Sequence, residues 1–206
     1  MATSSQPASP GTFTDRARRF LAWLIDPAVN VLMRLGVTPN TVTVLGLLAN
    51  IGVGVLAATG HLTIAGVALF VSGLFDGLDG ALARRGGATT AFGAFLDSTL
   101  DRYAEACVLF GLLVYAGDRG LLLETRLVYV VLVGSLMVSY TRARAEGLGI
   151  ACKVGLLTRF ERFLLMSAML ILQQITIGLI ALAILTHVTA AQRIAHVWRA
   201  TRRAGD

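Results

Sequence analysis

Four aspartates, Asp76, Asp79, Asp97 and Asp101, stand close together in "FDGLDGALARRGGATTAFGAFLDSTLDRYAE", between runs of Leu, Val, Ile and Ala long enough for a lipid bilayer. On a helix of about 3.6 residues per turn, Asp76, Asp79, Gly80, Ala83 and Arg84 share one stripe. Gly93, Asp97 and Asp101, spaced by four, make a second. The short connection "RGGATTA" predicts antiparallel neighbours whose stripes face each other. A carboxylate at the centre of a membrane helix costs about 2.5–3.5 kcal/mol, and less near the interface. Four together also repel, and Arg84 and Arg102 do not neutralise them all. Divalent cations do. All-oxygen ligands select a hard ion, Mg²⁺ or Mn²⁺, and with no histidine or cysteine in the cluster zinc is disfavoured.

A carboxylate-held metal pair suits displacement at a phosphorus bearing several negative charges. A carboxylate at its edge can take the proton of an attacking hydroxyl. Gly80 and Gly93 leave room for a bulky substrate against the helices. The plainer alternative is helix-end carboxylates paired with arginines and facing water. It accounts for one Asp-x-x-Asp, but not for two facing stripes with glycines at matching offsets.

The elements that must position these groups are membrane segments. Of 206 residues, 55% are hydrophobic and 15% charged, and a soluble domain carries more charge. The fold class is all-α integral membrane. Residues 1–11 read as a disordered polar tail without the features of a signal peptide, so the later apolar segments are expected to be retained. Residues 12–206 read as one membrane-embedded domain. An amphipathic interfacial helix over 14–35, with Trp23 at the headgroups, precedes six transmembrane helices. These are expected at about 39–59, 62–84, 91–116, 126–146, 160–176 and 178–199, since roughly 20 residues cross a bilayer.

Apart from Arg119 and Arg126, the basic residues fall on one side of these segments. By the positive-inside rule that side, with both termini and the aspartates, is cytoplasmic. Excess arginine here serves topology and anionic lipids, and nothing resembles a nucleic-acid-binding module. Cys107 and Cys152 read as free thiols. Gly73-x3-Gly77 reads as a helix-packing element within the fold.

The run Asp76-x2-Asp79-Gly80-x2-Ala83-Arg84-x8-Gly93-x3-Asp97-x3-Asp101 resembles the complete signature of the CDP-alcohol phosphotransferases. The segment pattern is similar to that family over nearly the whole chain. The resemblance implies transfer of a phosphatidyl group from CDP-diacylglycerol to an alcohol with release of CMP, two bound Mg²⁺ or Mn²⁺ ions, and a homodimer. Carried over by position, Asp76, Asp79 and Asp97 ligate metal, and Asp101 is the general base and joins the metal set. Gly80, Ala83, Arg84 and Gly93 line the CDP site. "TPNTVT" resembles the family's Pro-Asn-x-x-Thr element and places Pro39, Asn40 and Thr43 near the nucleotide, although the same residues also suit a plain helix start.

The choice of alcohol turns on arginines. Arg142, Arg144, Arg159, Arg162 and Arg193 form a basic group beside an acidic site, which suits an acceptor that itself carries phosphate. Any one of them also reads as a membrane anchor, and Arg142 and Arg144 point to different helix faces. Their stretches resemble the branch of the family that uses inositol 1-phosphate, the phosphatidylinositol-phosphate synthases, with Arg142 in place of a lysine and Phe160 in place of a proline. Glycerol 3-phosphate is the alternative acceptor. From another class, a cation-binding transporter is the alternative function; it requires carboxylates through the membrane's depth, and these cluster at one side.

Overall fold

The computed structural model of the chain describes the backbone at residues 34, 36–85 and 90–204, and the side chains over the same residues except 74–85 and 203–204. The expected tail over 1–11 and the interfacial helix over 14–35, residue 34 apart, lie outside the described residues. Six helices follow: α1 (Pro39–Ala58), α2 (Leu62–Arg85), α3 (Ala91–Asp118), α4 (Leu122–Glu146), α5 (Arg159–Ile171) and α6 (Ile175–Ala204). No strand occurs among the described residues.

Local chemistry sets several ends. Thr38 caps α1, its hydroxyl accepting from the Thr41 N–H at 3.3 Å ahead of Pro39 in the first turn. Thr90 caps α3, its hydroxyl accepting from the Gly93 N–H at 2.9 Å. At the start of α5 the Glu161 carboxylate reaches back to the Thr158 N–H at 2.8 Å. Gly60 (φ 88°) and Gly120 (φ 67°) turn the chain after α1 and α3 in the left-handed region that glycine enters freely.

Among the described residues each helix packs on two others, α1 on α2 and α3, α5 on α2 and α6, and α4 on α3 and α6. The result is a closed ring in the order α1–α2–α5–α6–α4–α3. Over these residues α2 and α3 both rest on α1; the expected facing of their aspartate stripes falls on 74–85, whose side chains lie outside the described residues. The loop between them, 86–89, lies outside the described residues.

Small residues allow this packing. A Cβ on Gly111 would lie 2.0 Å from the Gly54 carbonyl oxygen, so α1 and α3 touch backbone to backbone. A Cβ on Gly73 would meet the Phe163 ring at 2.0 Å, which makes Gly73 a packing position within the fold. Gly111→Ala must push α1 and α3 apart, at about 1–3 kcal/mol. A lower midpoint of thermal unfolding in detergent is expected. An unchanged midpoint would mean that the helices separate without penalty.

Several boundaries differ from those expected, the last helix running five residues further, to Ala204. The break between the last two helices falls at residues 172–174, several residues before the expected one. Gln173 takes φ 55°, and the Gln174 N–H returns to the Met169 carbonyl at 2.9 Å, closing α5 after 13 residues. The apolar run "ITIGLI" continues beyond this break and hides it. Helix α4 begins four residues earlier than expected, at Leu122, with Glu124 in its first turn, where a carboxylate favours the helix dipole.

Helix lengths and surfaces fit a bilayer. Pro39–Ala58, Leu122–Glu146 and Ile175–Arg202 are long and apolar enough to cross one. Ile64, Phe110, Tyr129, Ile177 and Ile184 are each more than half exposed. Water would drive such a surface to associate, whereas lipid solvates it.

Candidate active site

Helix α3 carries Asp97 and Asp101 one turn apart. The Asp101 carboxylate is 13% exposed, and the guanidinium of Arg159 on α5 reaches it from across the ring, Nη2 to Oδ1 at 2.6 Å. Arg102 Nη1 stands 4.0 Å from Oδ2 and also donates to the Ser98 carbonyl. Beneath the carboxylate is a hollow of about 30 Å³, lined by Asn50, Asp101, Glu105, Arg159 and Phe163 among others. That volume accepts a water or two. Asn50 is held there by donating to the Gly46 carbonyl at 2.9 Å and the Ser72 hydroxyl at 2.8 Å.

The structure brings the start of α1 to the start of α3. A Cβ added to Gly93 would stand 3.3 Å from Asn40 Oδ1 and 3.0 Å from Thr90 Oγ1, so Asn40 and Gly93 share one corner. Thr43, in the same part of α1, is buried and donates to the Pro39 carbonyl at 3.1 Å. Asp76, Asp79, Gly80, Ala83 and Arg84 lie on the last turns of α2. Their side chains are outside the described residues.

The five arginines make different contacts. Arg159 faces Asp101. Arg162 is 2% exposed and forks onto Glu105 of α3, Nε to Oε1 at 2.8 Å and Nη2 to Oε2 at 2.7 Å. Arg193 is 3% exposed and donates to the carbonyl of Val154 at 3.0 Å and to that of Val138. Arg142 pairs with Glu146 at 2.9 Å, both half exposed, a solvated contact within α4. Arg144 is also exposed.

Arg193 thus supports the segment between α4 and α5. That segment is not helical, yet Cys152 and Leu157 on it are fully or nearly buried. Its polar backbone needs partners at that depth. The Leu157 N–H donates to the Thr189 hydroxyl at 3.0 Å, the Leu156 N–H to Gln192 Oε1 at 3.1 Å, and the Val154 carbonyl accepts from Arg193.

Sequence reasoning missed Glu105 and Asn50. Glu105 extends the spacing of Gly93, Asp97 and Asp101 by a further four residues, and that periodicity was the available signal. Asn50 carried no signal beyond being a lone amide in an apolar run.

Asp97 and Asp101 offer hard oxygen donors on one face of α3, a donor set that fits Mg²⁺ or Mn²⁺. Two carboxylates are fewer than a site needs, and among the described residues no group of three or more candidate ligands occurs. The other two expected ligands, Asp76 and Asp79, have side chains outside the described residues.

A family model for CDP-alcohol phosphatidyltransferases matches residues 36–191. The chain is 36% identical over 202 residues to a phosphatidylinositol phosphate synthase of Mycobacteroides abscessus, covering 92% of this chain and 90% of that one. It is 39% identical over 188 residues to an archaetidylinositol phosphate synthase of Methanothermobacter thermautotrophicus, covering 88% and 90%. Crystal structures of the Mycobacterium tuberculosis phosphatidylinositol phosphate synthase superpose with a TM-score of 0.77 at 33% identity over 84% of this chain. One has CDP-DAG bound and covers 92% of that protein; another is in complex with manganese and citrate and covers 88%. With the family match spanning α1 to the middle of α6 and the fold shared at this identity, the chain belongs to the CDP-alcohol phosphatidyltransferase family.

Proposed function

We propose that the protein transfers a phosphatidyl group from CDP-diacylglycerol to inositol 1-phosphate, releasing CMP. The observation that carries this reading is the pairing across the ring of a carboxylate able to take a proton, Asp101, with an arginine able to hold a phosphate, Arg159, 2.6 Å apart. The relatives named for inositol phosphate products support the choice of acceptor.

In the reaction, the acceptor hydroxyl oxygen forms a bond to the phosphorus that carries diacylglycerol, and the bond from that phosphorus to the CMP oxygen breaks. Asp101 takes the hydroxyl proton. Arg159 holds the acceptor's phosphate and so orients its hydroxyl, with the more solvated Arg142 and Arg144 adding positive charge at the entrance. Asn40 and Gly93, with Pro39 and Thr43, form the corner for the nucleotide, which Gly80, Ala83 and Arg84 complete from α2. Asp76, Asp79, Asp97 and Asp101 hold two divalent cations, Mg²⁺ or Mn²⁺, which when bound neutralise the diphosphate. The six helices lie in the membrane, α5 through only part of its thickness, with the site open to the cytoplasmic face, and two copies associate as a homodimer.

The test is CMP release by purified protein with CDP-diacylglycerol, offered inositol 1-phosphate, inositol or glycerol 3-phosphate. Release with inositol 1-phosphate is expected, abolished by EDTA and restored by Mg²⁺ or Mn²⁺. Release with glycerol 3-phosphate alone would replace the acceptor and keep the site. Silence with all three would overturn the reading.

A further inference from the structure

The non-helical residues 150–158 lie along the second half of α6, fastened there at four points. His196 Nε2 donates to the Ala151 carbonyl at 3.0 Å, and Arg193 Nε to the Val154 carbonyl at 3.0 Å. The N–H groups of Leu156 and Leu157 donate to Gln192 and Thr189. Between segment and helix is an open hollow of about 590 Å³, lined by Lys153, Leu156, Gln192, His196 and Arg199 among others. It shares no lining residue with the hollow beneath Asp101.

Two cations line this hollow from different elements, Lys153 from the segment and Arg199 from α6. Neither makes a hydrogen bond or ion pair among the described residues. The acids flanking the segment are already engaged, Glu146 by Arg142 and Glu161 by the Thr158 N–H. A cation that serves only to orient a helix in the bilayer needs neither a hollow nor a fastened wall. A wall already held in place loses little freedom when an anion binds, so two uncompensated cations there favour a ligand.

The surroundings indicate which anion. Lysine brings a point charge and arginine a fork that matches phosphate oxygens. Trp198, Leu156 and Ile194, on the same two elements, are each more than half exposed, and the Arg202 guanidinium lies 4.6 Å from the centre of the Trp198 ring. An exposed tryptophan among apolar and basic side chains belongs at the headgroup level, where lipid phosphates are concentrated.

We propose that this hollow is a second phosphate-binding site, separate from the transfer site, for an anionic lipid headgroup or a free phosphate ion. Lys153 and Arg199 hold the phosphate, and the four ties keep the hollow open to receive it. The inference stands whichever alcohol the protein uses as acceptor.

The chain has three histidines, and of these His196 lines the hollow. The test follows their ring signals by nuclear magnetic resonance in the full chain, labelled with ¹⁵N-histidine, in detergent micelles at constant pH and ionic strength. Inorganic phosphate, phosphatidic acid and phosphatidylcholine are added in separate titrations. The His196 signal is expected to shift saturably with phosphatidic acid or inorganic phosphate and not with phosphatidylcholine, while His61 and His187 stay in place. Response to phosphatidic acid alone makes the ligand a lipid headgroup; response to inorganic phosphate shows that the free ion suffices.

In the double variant Lys153→Gln with Arg199→Gln the thermal midpoint is expected to stay near that of the wild type, since neither side chain holds a partner. Binding is expected to weaken about tenfold or more, as loss of hydrogen bonds to a charged group does. No saturable shift of His196 with either probe would overturn the proposal. So would equal movement of all three histidines, or wild-type affinity in the double variant.

Discussion

Asp101→Asn is expected to reduce CMP release by about 10²–10⁴, the contribution typical of a positioned general base. Asparagine has nearly the shape of aspartate, and its carbonyl oxygen can still accept from Arg159, which stands 2.6 Å from Oδ1 in the native protein. The contact between α3 and α5 therefore survives, while the oxygen that takes the hydroxyl proton is lost. Insertion into vesicles and binding of CDP-diacylglycerol should persist. Single-turnover CMP release, measured beside donor binding, separates the two effects. Turnover near that of the wild type would remove Asp101 from the role of base.

Arg159→Ala is expected to raise the KM for inositol 1-phosphate far more than the KM for CDP-diacylglycerol. Loss of a hydrogen bond to a charged group costs about 1.5–3 kcal/mol, which is about 10- to 150-fold in affinity. Arg193→Ala is the informative contrast. Arg193 donates to the carbonyls of Val138 and Val154, and removing it cuts the tie it makes between α4, α6 and the segment before α5. Its first effect should be a lower thermal midpoint. Equal changes in both KM values for Arg159→Ala would return that residue to the role of a membrane anchor.

The helical architecture was legible because apolar runs bounded by Gly60, Gly120 and the Thr38-Pro39 start leave few other readings. The α3 half of the site was legible for a similar reason: a four-residue spacing of acids has one geometric consequence on a helix. The arginines were harder. Type and spacing place Arg159, Arg162 and Arg193 near the same membrane face, but only the packing shows where each points. Arg162 turns inward to Glu105, Arg193 turns to backbone carbonyls, and Arg159 alone of these three reaches Asp101. The short α5 was hidden because its end is written in the backbone angle of Gln173 rather than in polarity.

The shortness of α5 has a consequence for where the two substrates meet. Thirteen residues extend only about 20 Å, against a hydrocarbon layer of about 30 Å. Its far end is tied near one membrane surface, where the Gln173 side chain donates to the Thr63 hydroxyl at 3.0 Å. Its near end, with Arg159, must then stop roughly 10 Å beneath the opposite surface. The non-helical residues 150–158 lead the chain from α4 to that end. On the proposed function, a water-soluble alcohol phosphate must descend from that surface to reach the arginine. On the same reading the lipid need not rise out of the membrane, so each reactant keeps to its own solvent until they touch.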